Sequence, residues 1–351
     1  MKINFHRVLL GFFENWDKSS QKKWDKGGYF RILDWNFRFM LLCSKISFRN
    51  CQMIRKIGNT EQVCSAQRVQ IVDGRGNGAR QIIVANGKLN FILSESNALD
   101  IFRLWHEGVN ASFVSKNGLY TAADDFLRDF PCGMLYTCGL DAIGGVEGHR
   151  LHGNFHTIPA DIKTLEADEK GIKIVGEIRD TALFGQNLAV TRTIETAAGS
   201  DEIRITDKIE NRAFRDEKYC LLYHVNIGYP FVDEGAKIEG DFVKSIARTP
   251  WAEHEKKKML SVEAPEDNLE ETCYFHETKD GVMSLVNKKL GKKFTVKSSL
   301  KKFVQWKSRA SGDYVIGLEP CTSWLDDKLK YSVLKPGRSV TVSLTLKAEN
   351  Y

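Results

Sequence analysis

Residues 340–346 read Val-Thr-Val-Ser-Leu-Thr-Leu, an unbroken alternation of apolar and small polar side chains. Period-two patterning places the apolar residues on one face of a β-strand and the polar residues on the other. The same alternation recurs in residues 172–178, 188–194 and 202–209. Strands with one apolar face are typical of antiparallel sheets that bury one side and expose the other to solvent.

Further apolar runs extend this pattern along the chain and are separated by turn signals such as DGRGNG at residues 73–78. They predict additional strands at residues 81–84, 89–93, 220–226, 281–286, 294–297, 303–307 and 314–318. A helical turn is expected only near residues 121–130. About a dozen strands with little helix predict an all-β fold, a large antiparallel β-sandwich of two packed sheets.

Charge divides the chain near residue 56. The net charge is +6, but residues 1–56 alone carry +8, which leaves the remaining residues at −2. We predict a basic, aromatic N-terminal extension over residues 1–56 and one β-sandwich domain over residues 57–351. The extension is either an arm that contacts nucleic acid or an acidic partner, or a poorly packed addition to the fold. The near-neutral main domain is not expected to bind nucleic acid.

Cysteine usage and hydropathy indicate the compartment. The eight cysteines are widely spread and include no CxxC pair, a pattern more typical of reduced thiols than of a disulfide framework. The short apolar run near the N-terminus lacks the cleavage site of a signal peptide. No apolar run approaches the roughly 20 residues that span a bilayer. We therefore expect a cytoplasmic protein without a membrane partner.

Two predicted strands carry polar residues where apolar ones are expected. Alternation places His224 and Asn226 on one face of an apolar strand. The histidine is either a satisfied core residue or, because two polar groups that face inward need a reason, part of a ligand site. Glu319 ends another apolar strand, just before Pro320. If buried, this carboxyl group has a raised pKa and can act as a base; the alternative is a glutamate at the rim, paired with a lysine or arginine.

Residues 131–160 form a third unusual segment, rich in glycine and carrying His149, Arg150, His152 and His156. Glycines allow a backbone to approach a ligand, so the segment is either part of a small-molecule site or a tight connection. His152 and His156 are four residues apart, but the surrounding glycines argue against the helix that would bring them together on a metal. No second ligand pair has zinc spacing, so no metal site is expected.

These segments together resemble the aldose 1-epimerase, or galactose mutarotase-like, superfamily, in a branch of uncharacterised domains. The resembling motifs are PCGMLYTCGLDAIGG at 131–145, HG at 152–153, LFGQNLAVTRTI at 183–194, LLYHVNIGYP at 221–230 and YVIGLEP at 314–320. The resemblance covers about residues 57–351. It implies a β-supersandwich with its site in a concave face, and a small-molecule sugar as the partner.

The resemblance also implies residue roles. In the family a strand histidine is the general acid and a late glutamate is the general base, which correspond here to His224 and Glu319. A histidine in the HG motif holds the sugar, which corresponds to His152. Further candidates for substrate binding are Arg150, Arg103, Asn226, Asp233 and Trp324.

The function that follows is an isomerase that interconverts sugar anomers by general acid–base catalysis, with no cofactor or metal. Aromatic side chains such as Tyr229, Trp306 and Trp324 are suited to stack on the apolar face of a sugar. The alternative is a non-catalytic carbohydrate-binding protein on the same fold.

Overall fold

The structure is a computed structural model that describes residues 56–120 and 125–351. The chain divides into two compact units, Met1–Gly58 and Asn59–Tyr351, and the described residues fall almost entirely in the second. The predicted N-terminal extension over residues 1–56 lies outside the described residues, apart from Lys56.

Antiparallel strands make up most of the described chain, as the alternating sequence predicts. The strands are β1 Ser65–Gln70, β2 Arg80–Ala85, β3 Leu89–Ser94, β4 Asp100–His106, β5 Val109–Asn110, β6 Leu135–Leu140, β7 Asp161–Ala167, β8 Gly171–Thr181, β9 Asn187–Ala197, β10 Glu202–Asn211, β11 Glu217–Ile227, β12 Lys237–Ala247, β13 Thr272–Asn287, β14 Lys292–Ser298, β15 Lys302–Ala310, β16 Asp313–Cys321, β17 Ser332–Leu334 and β18 Ser339–Asn350.

The strands form two sheets that share one apolar core. The smaller sheet has the order β1-β2-β3-β4-β5. The larger sheet has thirteen strands in the order β17-β11-β16-β15-β13-β14-β18-β10-β9-β8-β7, with β12 added to β13 and β6 added to β11. Phe91 and Ile101 of the smaller sheet belong to the same buried cluster as Ile205, Phe294 and Leu344 of the larger sheet. The predicted all-β sandwich is therefore confirmed.

Helices within the described ranges are short. Helix α1, Phe126–Asp129, begins after Asp125, whose side chain accepts a hydrogen bond from the Leu127 amide at 3.0 Å. Helix α2, Pro250–His254, begins at a proline and is capped by Thr249. The 3₁₀ turns are Thr60–Gln62, Gly74–Gly76, Phe155–Thr157, Lys256–Lys258 and Asp326–Lys328. None of the described helices is long and apolar enough to cross a membrane.

The helical turn expected near residues 121–130 is present as α1, while residues 121–124 lie outside the described part. Seven of the described strands were not predicted from the pattern: β1, β4, β5, β6, β7, β12 and β17. Strand β6 lies inside the glycine-rich segment and pairs with β11 over Cys220–Val225. Every residue of β6 is buried, so its sequence LYTCGL has no polar alternation. The glycine-rich segment is therefore partly a strand that lies beside the candidate catalytic strand.

A buried arginine joins the two sheets. Arg192 of β9 is fully buried, and its guanidinium uses all five N–H donors. It donates to Asp207 from Nε (2.9 Å) and Nη2 (2.7 Å), to Asp100 (2.5 Å) and the Ala98 carbonyl (2.9 Å) from Nη1, and to Thr137 from Nη2 (3.0 Å). These partners lie in or next to β4, β6 and β10, so one side chain fixes four strands relative to one another.

The same network reaches the strand that carries His224. Tyr223 of β11 is fully buried and donates its hydroxyl to Asp207 at 2.8 Å. Because side chains alternate along a strand, His224 lies on the opposite face of β11. Anchoring Tyr223 therefore fixes the backbone from which His224 projects.

Candidate active site

The pairing of β11 with β16 brings the two candidate catalytic residues together. Leu222 lies opposite Cys321 and Asn226 lies opposite Gly317, so this antiparallel register places His224 opposite Glu319. The distance from His224 Nδ1 to Glu319 Oε1 is 3.3 Å. Both side chains are buried, and 95 residues of chain separate them in the sequence.

A glycine makes room for the glutamate. Gly317 and Glu319 lie on the same face of β16, and the Glu319 carboxyl folds back over Gly317. A Cβ atom at position 317 would collide with Glu319 Oε1 and crowd the Cβ atom of Trp306 on the neighbouring strand β15. The Gly-Leu-Glu sequence is therefore a steric requirement of the Glu319 position.

Asn226 fixes the tautomer of His224. Its amide nitrogen donates to the Gly133 carbonyl and to the His224 carbonyl, each at 3.0 Å. The amide oxygen must then face His224 Nδ1, at 2.6 Å, which requires a proton on Nδ1. His224 Nε2 is left with a lone pair that can accept a proton. Asn226 is fully buried and does not line the cavity described below, so its contact is with His224.

His152 has the complementary tautomer. It adopts a left-handed backbone with φ = 65°, and the following Gly153 does so too with φ = 77°. This turn lets His152 Nδ1 accept a hydrogen bond from the Gly144 amide at 3.3 Å, so the ring proton is on Nε2. The rings of His152 and His224 meet edge to face, with centroids 5.5 Å apart. One histidine therefore offers a donor and the other an acceptor.

His152, His224 and Glu319 line a cavity of about 670 Å³, which is within the range of small-molecule sites. Aromatic side chains form much of its wall: Phe126 and Phe130 from the α1 segment, and Trp306 from β15. The Trp306 and His224 rings pack edge to face with centroids 5.3 Å apart. Aromatic walls beside a few fixed polar groups are suited to the apolar face and the hydroxyls of a sugar.

Burial favours the uncharged forms of His224 and Glu319. Desolvation, reinforced by the nearby charge of Glu271, raises the pKa of Glu319 well above its ordinary value, and Arg248 offsets this only partly. Desolvation lowers the pKa of His224 to about 3 and that of His152 to about 4. Both shifts favour the uncharged forms, a protonated Glu319 and a neutral His224, so burial opposes a salt bridge between them. Glu319 Oε1 has no hydrogen-bond partner among the described residues.

The other residues considered for substrate binding lie elsewhere. Arg150 donates from Nη2 to both carboxylate oxygens of Asp129, at 2.6 Å each, and lines a different cavity. Arg103 of β4 is exposed, with its guanidinium over the Phe102 ring at 5.3 Å. Neither arginine lines the His224–Glu319 cavity.

Asp233 and Trp324 are also absent from the lining of the His224–Glu319 cavity. Asp233 pairs with Lys289 at 2.9 Å. Trp324 donates from its indole nitrogen to the His276 carbonyl at 3.3 Å, and its ring is therefore committed to another part of the fold. Tyr229 does not line this cavity either, which leaves Trp306 as the predicted stacking residue that does.

Four charged residues of this cavity were not predicted from the sequence: Lys116, Arg248, Glu271 and Asp313. Glu271 accepts a hydrogen bond from Trp306 Nε1 at 2.7 Å and so holds the indole ring that packs on His224. Arg248 lines the cavity and is paired with Asp326 at 2.8 Å. Glu271 lies just before β13 and Arg248 just after β12, outside any motif, and only the strand pairing brings them to the site.

Solved structures with this fold share little sequence with the chain. A candidate aldose 1-epimerase from Klebsiella pneumoniae superposes with a TM-score of 0.74 at 19% identity, over 81% of this chain and 83% of that one. A galactose mutarotase-like protein from Clostridium acetobutylicum gives a TM-score of 0.64 at 15% identity, over 83% of this chain and all of the other. At these identities the similarity establishes the galactose mutarotase-like fold.

The family is established by sequence. Residues 76–347 match the model of DUF4432, a domain of unknown function, and the chain belongs to this family. Among curated proteins, no sequence matches the chain. The matched residues include both strands of the candidate catalytic pair and the whole glycine-rich segment.

Proposed function

We propose that this protein interconverts the anomers of an aldose, in the manner of an aldose 1-epimerase. The observation that carries the proposal is the contact of His224 with Glu319, 3.3 Å apart, in an aromatic cavity of about 670 Å³. Anomer interconversion needs two groups that exchange protons with the anomeric hydroxyl and the ring oxygen of one sugar. Burial favours a protonated Glu319 beside a neutral His224, which is one acid and one base, as the reaction requires.

Ring opening moves one proton from the sugar to one residue and another proton from the second residue to the sugar. One member of the pair takes the proton of the C1 hydroxyl while the other gives its proton to the ring oxygen. The bond between C1 and the ring oxygen breaks as the C1 carbonyl forms, and no net proton leaves the site. His224 Nε2 has the lone pair that can take a proton, and the raised pKa of Glu319 favours the form that can give one.

Ring closure reverses these two proton transfers. After rotation about the C1–C2 bond, the C5 hydroxyl attacks the other face of the carbonyl. Its proton goes to the group that donated during opening, and the carbonyl oxygen receives the proton that was first removed. His224 and Glu319 therefore alternate as acid and base within one turnover, which includes the roles that the family resemblance implies.

The charges around the cavity favour a neutral sugar over a sugar phosphate. The two cations that line it among the described residues are already paired, Arg248 with Asp326 and Lys116 with Asp313, each at 2.8 Å. His152 Nε2–H remains a neutral donor for a hydroxyl. A phosphate dianion would have to compete with these carboxylates for its counter-charge.

The proposal is tested by NMR exchange between the anomers of a panel of neutral aldoses, with wild-type protein and Glu319→Gln. Gln keeps the shape of the side chain but cannot exchange the proton, so we expect the exchange rate to fall by about 10²–10⁴-fold. Glu263→Gln is the matched control, because Glu263 is a partly buried carboxylate that does not line the cavity.

Acceleration that Glu319→Gln abolishes and Glu263→Gln preserves would support the enzyme and both roles. Sugar binding without acceleration for any aldose would contradict catalysis and leave the non-catalytic carbohydrate-binding protein. Equal acceleration by wild type and Glu319→Gln would remove Glu319 from the mechanism.

A further inference from the structure

A second cavity lies beside the glycine-rich segment. Its volume is about 540 Å³, and its lining is mainly polar. Tyr136 lines this cavity, while Phe130, in edge-to-face contact with Tyr136 at 4.9 Å between ring centroids, lines the His224–Glu319 cavity. These two rings are part of the wall that separates the two cavities.

A buried histidine in this wall is oriented by a carboxylate. His156 is 7% exposed, and its Nδ1 lies 2.7 Å from Asp100 Oδ2. Asp100 also accepts hydrogen bonds from Arg192 and from both the amide and hydroxyl of Thr137. Although burial raises the pKa of Asp100, the charge of Arg192 outweighs it and holds the pKa below its ordinary value. Asp100 is therefore ionised, and His156 Nδ1 carries the proton.

His156 Nε2 is then the nitrogen left for a ligand. It has no hydrogen-bond partner among residues 56–120 and 125–351. The ring cannot turn away from the cavity, because it is stacked on Tyr136 with centroids 3.7 Å apart and is tied to Asp100. The lone pair on Nε2 is a fixed acceptor at the wall of the cavity.

Donors line the same cavity. Arg150 donates to Asp129 from Nη2, but its Nε is buried and has no partner in the described chain. Asn97 accepts from Ser94 with its amide oxygen at 2.8 Å, which leaves its NH₂ group for a ligand. Buried polar atoms are rarely left unsatisfied in proteins, so the unpartnered Arg150 Nε–H indicates a missing acceptor.

The charge balance narrows the ligand class. The Arg150–Asp129 pair, the only lining cation and anion among the described residues, contributes no net charge. Hydroxyl groups can donate to His156 and accept from Arg150 and Asn97 at once, whereas a carboxylate has no proton to donate and an ammonium ion has no lone pair to offer.

We infer that the cavity lined by His156, Arg150 and Asn97 is a second binding site, for a neutral polyhydroxylated ligand such as a sugar. This site is separate from the His224–Glu319 cavity and does not depend on turnover there. Its contacts make it a binding site, with Asp100 as a positioning residue for His156.

The test follows the His156 imidazole by ¹H–¹⁵N NMR while D-galactose or D-glucose is added, with inorganic phosphate as the anionic comparison. We expect a saturable shift of the His156 Nε2 signal with a neutral sugar and none with phosphate. Glu319→Gln should leave this shift unchanged while it removes anomer exchange, so the second site and the proposed reaction can fail separately.

Two variants test the contacts. His156→Asn keeps a donor to Asp100 and removes Nε2, and Arg150→Lys keeps the ion pair with Asp129 and removes Nε–H. Each should weaken sugar binding about tenfold, the loss of one hydrogen bond to a buried group. Binding in His156→Asn is followed through the Tyr136 ring signals. If His156→Asn does not fold, sugar binding by Arg150→Lys alone tests the proposed contacts.

Three results would overturn the inference. A His156 signal that no sugar moves up to the limit of solubility means that the cavity binds neither sugar. A shift with phosphate alone means that the ligand class is an anion. Unchanged sugar affinity in Arg150→Lys means that the unpartnered nitrogen is not a ligand contact.

Discussion

Replacing Glu319 by Gln should make the protein more stable while it removes activity. Glu319 is 1% exposed, its Oε1 has no hydrogen-bond partner among the described residues, and burial raises its pKa well above the ordinary 4.5. A raised pKa means that the folded state holds a proton that the unfolded state releases above pH 4.5. Folding is therefore increasingly opposed by this group as pH rises, until the pH reaches its folded pKa.

The magnitude follows from proton linkage. Below pH 4.5 the carboxyl is protonated in both states, and Glu and Gln should be nearly equivalent. Above it, the free energy of unfolding of wild type should fall relative to Glu319→Gln by about 1.4 kcal/mol per pH unit. Between pH 5 and 7 the difference should grow by about 2.7 kcal/mol if the folded pKa of Glu319 exceeds 7.

The difference between variants is the quantity to measure, because His224 titrates with the opposite sign. Burial lowers the pKa of His224 to about 3, so the unfolded state takes up a proton as pH falls below 6.5 and the folded state does not. This contribution to stability is present above pH 6.5 and is lost as pH falls toward 3. It is common to wild type and Glu319→Gln, and it cancels when the two are subtracted.

The assay is urea unfolding at several pH values between 4.5 and 8, for wild type, Glu319→Gln and Glu263→Gln. Glu263→Gln is the control, because the pKa of Glu263 is shifted in the opposite direction and its replacement should have the opposite effect on stability. Burial raises its pKa, but its 2.7 Å contact with Lys307 Nζ outweighs this and leaves the pKa below its ordinary value. Glu263→Gln should therefore be destabilised at neutral pH.

One outcome refutes this account of the site. If Glu319→Gln is less stable than wild type at pH 7, or if their difference does not change with pH, Glu319 is ionised and satisfied in the folded protein. The neutral pair assigned to the cavity would then be wrong, even if Glu319 were still required for activity.

Two further substitutions test the supports of the site. Arg192→Lys keeps the charge but offers three donors in place of five, so at least two hydrogen bonds to buried acceptors are lost. Urea unfolding should show that the free energy of unfolding falls by about 2–6 kcal/mol. A decrease below about 1 kcal/mol would show that the fold does not need the network. Asn226→Leu releases the His224 tautomer without touching the cavity, so kcat should fall about 10²-fold with little change in KM; a change in KM alone would make Asn226 a substrate contact.

Several of the strands predicted from the sequence have one solvated face, whereas β11 and β16 are buried on both faces over most of their length and were predicted from apolar runs alone. Strand β18, Ser339–Asn350, and strand β10, Glu202–Asn211, alternate between buried and exposed residues, and their periodicity in the sequence is plain. Strand β6, Leu135–Leu140, is buried on both faces, so its sequence has no alternation, and its glycine resembles a loop residue. Periodicity detects exposure differences, and a fully buried strand has none.

Part of the candidate site could be predicted, because polar residues stand out where the sequence is otherwise apolar. His224 and Glu319 are noticeable because a polar residue in an apolar strand needs a buried partner. Arg103 and Asp233 carry no such signal, since a charged side chain at the surface is ordinary, and the structure places both away from the cavity. The register of β11 against β16 is a long-range property, and no local pattern predicts it.

The buried network and the cavity show two different uses of polar groups inside one core. Arg192 has all five of its donors satisfied, and the strands around it are fixed by those contacts. Glu319 is as deeply buried, but one of its oxygens is left without a partner.

Strand β11 connects these two environments, because Tyr223 is bonded to the network and the adjacent His224 faces Glu319. Tyr223 and Asn226 hold the strand and the imidazole in place without using His224 Nε2 or the free Glu319 oxygen. An arginine paired with Glu319 would hold the carboxylate ionised and lower its affinity for a proton. The unsatisfied oxygen is therefore what the proposed proton exchange requires, and the complete network around Arg192 is what allows the fold to tolerate it.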